Sequence, residues 1–207
     1  MLKSYSQSLQ DLFAVNVCKT KTYIEVGASW AVARNNTYLL EDLYNFKGFS
    51  VERTKSKKEN WQQNKRKNRL YISDAVRFDY IKAIKENSLD MHIGYLSCDI
   101  EPPNNTFQAL VNIIEAGISF DCITFEDERF ENHKQDYSTK AIEFLKPYGY
   151  IAVINDVYPL YKPFDKTKIY ETWMVHESIE FKPTSFELWM NDNNINESNI
   201  QKIKNKY

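Results

Sequence analysis

The chain has 207 residues, of which 43% are hydrophobic and 27% charged, so it is long enough for one globular domain with its own core. Its formal net charge of −1 excludes a strong overall field that would attract nucleic acid or an anionic membrane. The sequence holds neither a basic-apolar leader nor an apolar run of about 18 residues, so we expect a cytoplasmic protein without a membrane partner.

The chain begins with elements that suit an α/β sheet. Residues 1–21 predict an N-terminal helical lead, because apolar residues recur there near helical spacing. Residues 22–27 form a short β-prone run that ends in a glycine, which predicts a first strand and a tight turn. A helix is predicted over about 38–44, with Asn36 or Thr37 as its cap.

Acidic residues end the next two predicted strands. Glu52 follows the glycine turn by roughly twenty-odd residues, the offset at which α/β nucleotide folds place a carboxylate on ribose hydroxyls. Asp74 follows the strand at 70–73. It either accepts a hydrogen bond from an adenine amino group or caps the following turn.

A basic run lies between those two strands. Residues 53–69 carry eight basic side chains and one acidic side chain. They form either a nucleic-acid or phosphate patch or a solvated helix face that is anchored by a buried Trp61. We favour the solvated face, because aromatic residues are not interleaved with the basic positions as in single-strand binders.

Two later strands also end in acids. Residues 93–103 read as a central strand that delivers Asp99 and Glu101 before two prolines stop the pairing. The strand at 120–125 ends in Glu126 and Asp127. Since ligands of open α/β sheets bind at the carboxyl ends of the strands, these acids are expected at one site.

Strands and helices alternate through most of the chain, which predicts a mostly parallel α/β sheet of six or seven strands with helices on both faces. We expect a single domain over residues 1–190. Its last part, 157–190, is rich in aromatic residues that wall a pocket or cover the sheet edge. Residues 191–207 are rich in Asn and Lys and predict a flexible tail.

Several of these motifs together resemble the FkbM-type S-adenosylmethionine-dependent methyltransferases. The resemblance covers roughly residues 20–176. The motifs that carry it are Glu25-Val-Gly27-Ala28, Gly48-Phe-Ser-Val-Glu52, Tyr95-Leu-Ser-Cys-Asp99-Ile-Glu101-Pro-Pro and Ile123-Thr-Phe-Glu126. One departure is Glu126-Asp127-Glu128, where the family pattern would have Glu-His-Asp.

The resemblance implies a Rossmann-like class I methyltransferase fold and methyl transfer to a hydroxyl oxygen on a sugar or small metabolite. It implies S-adenosylmethionine as cofactor, with Glu52 on its ribose, Asp74 on its adenine and Glu25 on its amino-acid end. The predicted cofactor-binding residues are Glu25, Gly27, Ala28, Ser29, Asn36, Glu52, Asp74 and Asp99.

Two mechanisms stay open for the hydroxyl acceptor. Asp99, Glu126 and Asp127 resemble the acidic cage of magnesium-dependent O-methyltransferases, and oxygen ligands select Mg²⁺ or a similar hard cation. Alternatively, Asp99 acts as a plain general base, with Glu101 as the second candidate catalytic residue.

Two other classes of function also stay open. One is a non-catalytic nucleotide-binding module of the same fold. The other is a nucleic-acid methyltransferase, although the sequence from Asp99 to Pro103 differs from the Asp/Asn-Pro-Pro-aromatic motif that grips a flipped base. We therefore expect a small-molecule or sugar acceptor rather than a nucleic acid.

Overall fold

The computed structural model describes residues 3–131, 135–160 and 165–196. Their strands are β1 (Thr22–Val26), β2 (Lys47–Glu52), β3 (Arg69–Ile72), β4 (His92–Cys98), β5 (Ser119–Glu126), β6 (Tyr150–Val157) and β7 (Glu171–His176). Their helices are α1 (Gln10–Val17), α2 (Tyr38–Tyr44), α3 (Lys57–Gln63), α4 (Tyr80–Glu86), α5 (Pro103–Glu115), α6 (Tyr137–Leu145) and α7 (Phe186–Asp192).

The strands form a seven-stranded sheet in the order β3-β2-β1-β4-β5-β7-β6. Strands β1 to β5 pair in parallel, whereas β7 pairs antiparallel with both β5 and β6. The predicted mostly parallel α/β sheet is therefore confirmed. The direction in which successive strands are added reverses between β1 and β4, and open α/β sheets bind ligands at such a point.

Alternate strand residues supply two hydrophobic cores, one on each face of the sheet. On β1, Tyr23 belongs to one core, while Ile24 and Val26 belong to the other. Residues of α1, α2 and α7 pack in the core of Tyr23, and residues of α4, α5 and α6 pack in the opposite core. Helices thus cover both faces, as predicted.

The predicted N-terminal lead contains α1 and an anchored segment before it. The buried carboxylate of Asp11 accepts hydrogen bonds from Ser4 Oγ at 2.6 Å and Ser6 Oγ at 2.8 Å. Ser8 Oγ donates to the carbonyl oxygen of Tyr158 at 2.9 Å. The described segment before α1 is therefore fixed to a segment that follows β6.

The last third of the chain differs most from the expectation. Strand β7 lies inside the aromatic segment 157–190, and its Trp173 is fully buried. The predicted tail begins too early, because α7 continues to Asp192 and Ile195 is buried in the core. Tyr161 and Phe164 of the aromatic segment, and residues 197–207 of the tail, lie outside the described residues. Among the helices described, none is long and apolar enough to span a membrane.

Candidate functional site

A cleft of about 720 Å³ opens at the carboxyl ends of the parallel strands, next to the reversal between β1 and β4. Acids outnumber bases in its lining. The carboxylates that line it belong to Glu25, Glu52, Asp74, Asp99, Glu101, Glu126 and Glu128, and the cations to Arg34, Arg53 and Lys168. The structure thus brings most of the predicted site residues together in one cleft, whose charge suits a cationic ligand.

The backbone amides of the turn after β1 are hydrogen-bonded to β2. Gly27 has a φ of +89°, and its N–H donates to the carbonyl oxygen of Val51 at 2.9 Å. The Ala28 N–H donates to the same oxygen at 3.3 Å, and the Ser29 N–H donates to Glu52 Oε2 at 2.8 Å. These amides are therefore used inside the protein and do not form a cradle for a ligand.

Ala28 does not lie where its predicted role in cofactor binding would require. It is buried in a small cluster with Ala31 and Trp61 and does not line the cleft. A further ten residues separate Gly27 from α2, so no helix begins directly at the turn. The cleft must hold a ligand mainly with side chains.

Gly27 is needed because β1 and β4 approach closely behind it. A Cβ atom at Gly27 would lie 1.6 Å from the Asp99 carbonyl oxygen, whereas a Cβ at Gly117 would meet nothing within 4 Å. Both glycines have a left-handed φ, +89° and +83°. We expect Gly117→Ala to lose about 1–2 kcal/mol of unfolding free energy from backbone strain alone. Gly27→Ala should lose a further ~1–3 kcal/mol or more from overpacking, measured by urea denaturation. Equal losses would contradict this account of the turn.

A buried polar corner lies on the floor of the cleft. Glu25 accepts hydrogen bonds from Ser50 Oγ at 2.6 Å and Thr37 Oγ1 at 3.0 Å, and burial raises the pKa of its carboxyl group. Asn36 donates from Nδ2 to Ser97 Oγ at 2.9 Å. Its buried Oδ1 has no partner among the residues that the structure describes. Because a buried acceptor without a donor is costly, this corner suits a ligand that donates hydrogen bonds.

Two further carboxylates lie along the cleft towards β3. Glu52 accepts the Ser29 N–H at 2.8 Å and the Thr54 N–H at 2.7 Å, and each oxygen keeps a second lone pair for a ligand hydroxyl. Asp74 accepts the Val76 N–H at 3.0 Å and so caps the short turn that follows β3. The predicted cap is therefore confirmed. Asp74 lines the cleft as well, and its contact with an adenine stays a prediction.

Asp99 lies at the centre of the acidic lining. Its N–H donates to the Val26 carbonyl oxygen at 2.9 Å, which holds the residue at the end of β4 beside β1. Burial, and then the negative charges of Glu25 and Glu101, raise the pKa of Asp99 to about 7. A carboxylate with such a pKa can take a proton from a ligand near neutral pH.

The predicted metal cage does not form. Asp127 is buried, and its carboxylate accepts hydrogen bonds from Arg129 Nε at 2.7 Å and Thr172 Oγ1 at 3.0 Å. Burial raises the pKa of Asp127, and the charge of Arg129 opposes that rise. Nowhere in the described ranges are three His, Cys, Asp or Glu side chains placed to hold a metal ion. Asp99 and Glu126 line the cleft, but Asp127 is neutralised by Arg129 and points away from it.

One residue of the basic run has a structural role. The Arg66 side chain is only 1% exposed, and its guanidinium stacks 4.0 Å from the centre of the Trp61 ring. It pairs with Glu41 at 2.9 Å. Its five N–H groups donate to Glu41 Oε2, the Ala31 carbonyl oxygen, Asn35 Oδ1, Tyr23 Oη and Thr37 Oγ1. The predicted solvated face is therefore wrong for Arg66, while the predicted burial of Trp61 is confirmed.

Four residues of the cleft lining were not among the predicted site residues. Trp30 and Phe130 lie at the cleft with 48% and 41% of their surfaces exposed. Gln7 precedes α1 and Tyr170 precedes β7 in the chain, and both line the cleft. Trp30 closely follows the glycine turn, and Tyr170 lies in the aromatic segment 157–190 that was predicted to wall a pocket or cover the sheet edge. The others reach the cleft through tertiary packing.

Solved structures with similar folds include methyltransferases. A putative rRNA-methylase from Clostridium thermocellum has a TM-score of 0.52 at 15% identity, over 84% of this chain and 97% of that chain. The human methyltransferase 10 domain containing protein has a TM-score of 0.53 at 12% identity, over 82% of this chain and 81% of that chain. At such identities the likeness establishes the fold alone.

Sequence comparisons with family models and with curated proteins find no match. The resemblance to the FkbM-type enzymes therefore stays a prediction. With its 3-2-1-4-5-7-6 strand order, its antiparallel β7 and these structural neighbours, the chain has the class I S-adenosylmethionine-dependent methyltransferase fold.

Proposed function

We propose that this protein is an S-adenosylmethionine-dependent methyltransferase that acts on a hydroxyl oxygen of a sugar or small metabolite. The observation that carries the proposal is Asp99, a carboxylate with a pKa of about 7 at the centre of an acid-lined cleft. Its place at the end of β4, where the strand order reverses, is where this fold class binds its ligands.

The residues of the cleft fit S-adenosylmethionine in charge and in hydrogen-bond type. The excess of carboxylates suits a ligand with a sulfonium and an ammonium group. Asn36 Oδ1 and Glu25 would accept hydrogen bonds from the ammonium end, Glu52 would accept them from the ribose, and Asp74 would face the adenine. When bound, the cofactor supplies an electrophilic methyl group.

The chemistry of the chain's own residues is then a proton transfer. Asp99 would accept the proton that the acceptor hydroxyl loses as its oxygen takes the methyl group, while the bond from the methyl carbon to the sulfonium sulfur breaks and a neutral thioether leaves. Glu25 and Glu101 strengthen the affinity of Asp99 for that proton through their negative charges. The side chains of the cleft would hold the two reactants close and aligned, which lowers the barrier by removing the entropic cost of bringing them together.

Cofactor binding is tested by thermal shift and calorimetry with S-adenosylhomocysteine and, separately, NAD. We expect S-adenosylhomocysteine to raise the Tm and NAD to leave it unchanged. Glu52→Gln should weaken the binding of S-adenosylhomocysteine by about tenfold or more, because it removes the charge of a hydrogen-bond acceptor. Glu143→Gln, an exposed change on α6, serves as the matched control. A response to NAD alone would mean that the cofactor is misassigned.

A non-catalytic nucleotide-binding module is the second candidate. It is favoured by one observation, namely that the amides of the turn at Gly27 are used inside the protein. This candidate predicts binding of S-adenosylhomocysteine without turnover of S-adenosylmethionine on any hydroxyl acceptor. Methyl transfer from a radiolabelled donor would eliminate it.

A further inference from the structure

The charge of the chain is unevenly distributed. Residues 53–69 carry eight basic and one acidic side chain, so the rest of the chain carries 19 basic and 27 acidic side chains. This short segment thus has a net charge of +7, which the excess of acids elsewhere offsets to give an overall charge of −1. Such a segment produces a local positive field even though the whole molecule does not.

Most of these charges reach the surface. With Arg66 buried in its ion pair and Arg69 paired with Glu86, the remaining ones define a basic band. The basic band consists of Arg53, Lys55, Lys57, Lys58, Lys65 and Lys67. Lys55, Lys58 and Lys67 are exposed, and no carboxylate among the described residues pairs with them.

The basic band runs onto the mouth of the cleft. Arg53 lines the cleft, and so does Arg34 from the loop that follows β1. Lys57 Nζ lies 3.3 Å from the centre of the Trp30 ring, and Trp30 is an exposed aromatic residue of the same cleft. The fold therefore supplies, from outside the basic run, the aromatic surface that the basic run itself lacks.

We propose that the basic band binds the backbone of a single-stranded nucleic acid, with one base stacked near Trp30. Positive side chains beside an exposed aromatic ring are the combination that single-strand binders use. An anionic membrane is the poorer fit, because the apolar residue of α3, Trp61, is buried and the helix offers no apolar face for insertion. The carboxylates lie within the cleft, so the phosphates would stay outside it on the band.

This proposal goes beyond the proposed function, because binding to the band requires no methyl transfer. Where both hold, the ribose of a single-stranded RNA supplies the sugar hydroxyl that Asp99 would deprotonate, and that consequence rests on the proposed function. An RNA acceptor differs from the small-molecule or sugar acceptor that the sequence predicted. The sequence could not show that Trp30 lies beside Lys57, because that contact arises from the fold.

Binding is tested by fluorescence anisotropy with a labelled single-stranded RNA of about 16 nucleotides. Salt is varied between about 50 and 200 mM, and the logarithm of the binding constant should fall by about 0.7 per phosphate contact for each unit of log salt. A Lys55→Ala, Lys58→Ala, Lys67→Ala triple variant should reduce that slope by about 2 and weaken binding by at least ~10-fold at low salt. Trp30→Ala should weaken binding by about tenfold, and Trp30→Phe should retain it.

The matched control removes three exposed lysines at the amino ends of the strands, Lys21, Lys47 and Lys146, and thus changes the net charge equally. It should bind RNA like the parent. Equal weakening by both triple variants, no binding at all, or binding only to phosphatidylserine vesicles would overturn the proposal. The Tm of every variant reports on the fold. S-adenosylhomocysteine binding, measured on the parent and on the two lysine triple variants, separates failure here from failure of the proposed function.

Discussion

Asp99→Asn is expected to lower kcat for methyl transfer by roughly 10²–10⁴-fold, because asparagine keeps the shape of the side chain but cannot accept a proton. The measurement uses a radiolabelled donor and an acceptor that the parent protein methylates. S-adenosylhomocysteine binding to the same variant, followed by calorimetry, should persist, since the cofactor contacts assigned to Glu52 and Asn36 are unchanged. A variant that keeps full activity would remove Asp99 as the base.

The same residue predicts a pH profile. Only deprotonated Asp99 can take a proton, so kcat/KM should rise with pH up to about 7 and level off above that value. The limb near 7 should be absent from the residual activity of Asp99→Asn. In Glu101→Gln it should move to lower pH, because one of the negative charges that raise the pKa of Asp99 is gone. A limb that stays in place in Glu101→Gln would contradict the electrostatic account.

Arg66→Ala should destabilise the protein by about 3–5 kcal/mol, the usual cost of removing one partner of a buried ion pair. The substitution leaves Glu41, which is 3% exposed, as an uncompensated buried charge. It also removes donors from Tyr23 and Thr37, and Thr37 in turn donates to Glu25 on the floor of the cleft. Urea denaturation measures the loss.

Two variants make this prediction specific. Lys65→Ala, at the exposed neighbour in the sequence, should change the unfolding free energy by no more than about 0.5 kcal/mol. The double variant Arg66→Met with Glu41→Leu should recover much of the loss, because it removes both charges together. A cost below ~1 kcal/mol for Arg66→Ala would show that the pair is exposed in solution.

The sequence predicted the sheet and the gathering of acids because both follow from local pattern. Carboxyl ends of parallel strands meet at one edge, so acids at the ends of β1, β2, β4 and β5 had to lie near one another. The local pattern did not predict the direction in which each acidic side chain points. Asp127 faces Arg129 and Thr172, and Thr172 is on β7, a strand that the sequence did not reveal.

The burial of Arg66 in the basic run could not be predicted from local sequence either. Lys65, Arg66 and Lys67 are consecutive basic residues, yet only the side chain of Arg66 is buried. Its partners come from β1, from α2 and from the loop after β1, and no local pattern encodes that meeting. Local periodicity predicts which elements form, whereas non-local contacts decide which charges face solvent.

The position of β7 bears on synthesis of the protein. Because β7 lies between β5 and β6 although it follows both in the chain, β6 has no neighbour in the sheet until residues 171–176 have left the ribosome. Until then β5 presents an open hydrogen-bonding edge, which is a hazard for aggregation. The wall of the cleft at Tyr170, which Ser8 contacts at 2.7 Å, is likewise incomplete. A nascent or proteolysed chain that ends before β7 would thus lack part of the cleft wall and expose a strand edge that favours aggregation.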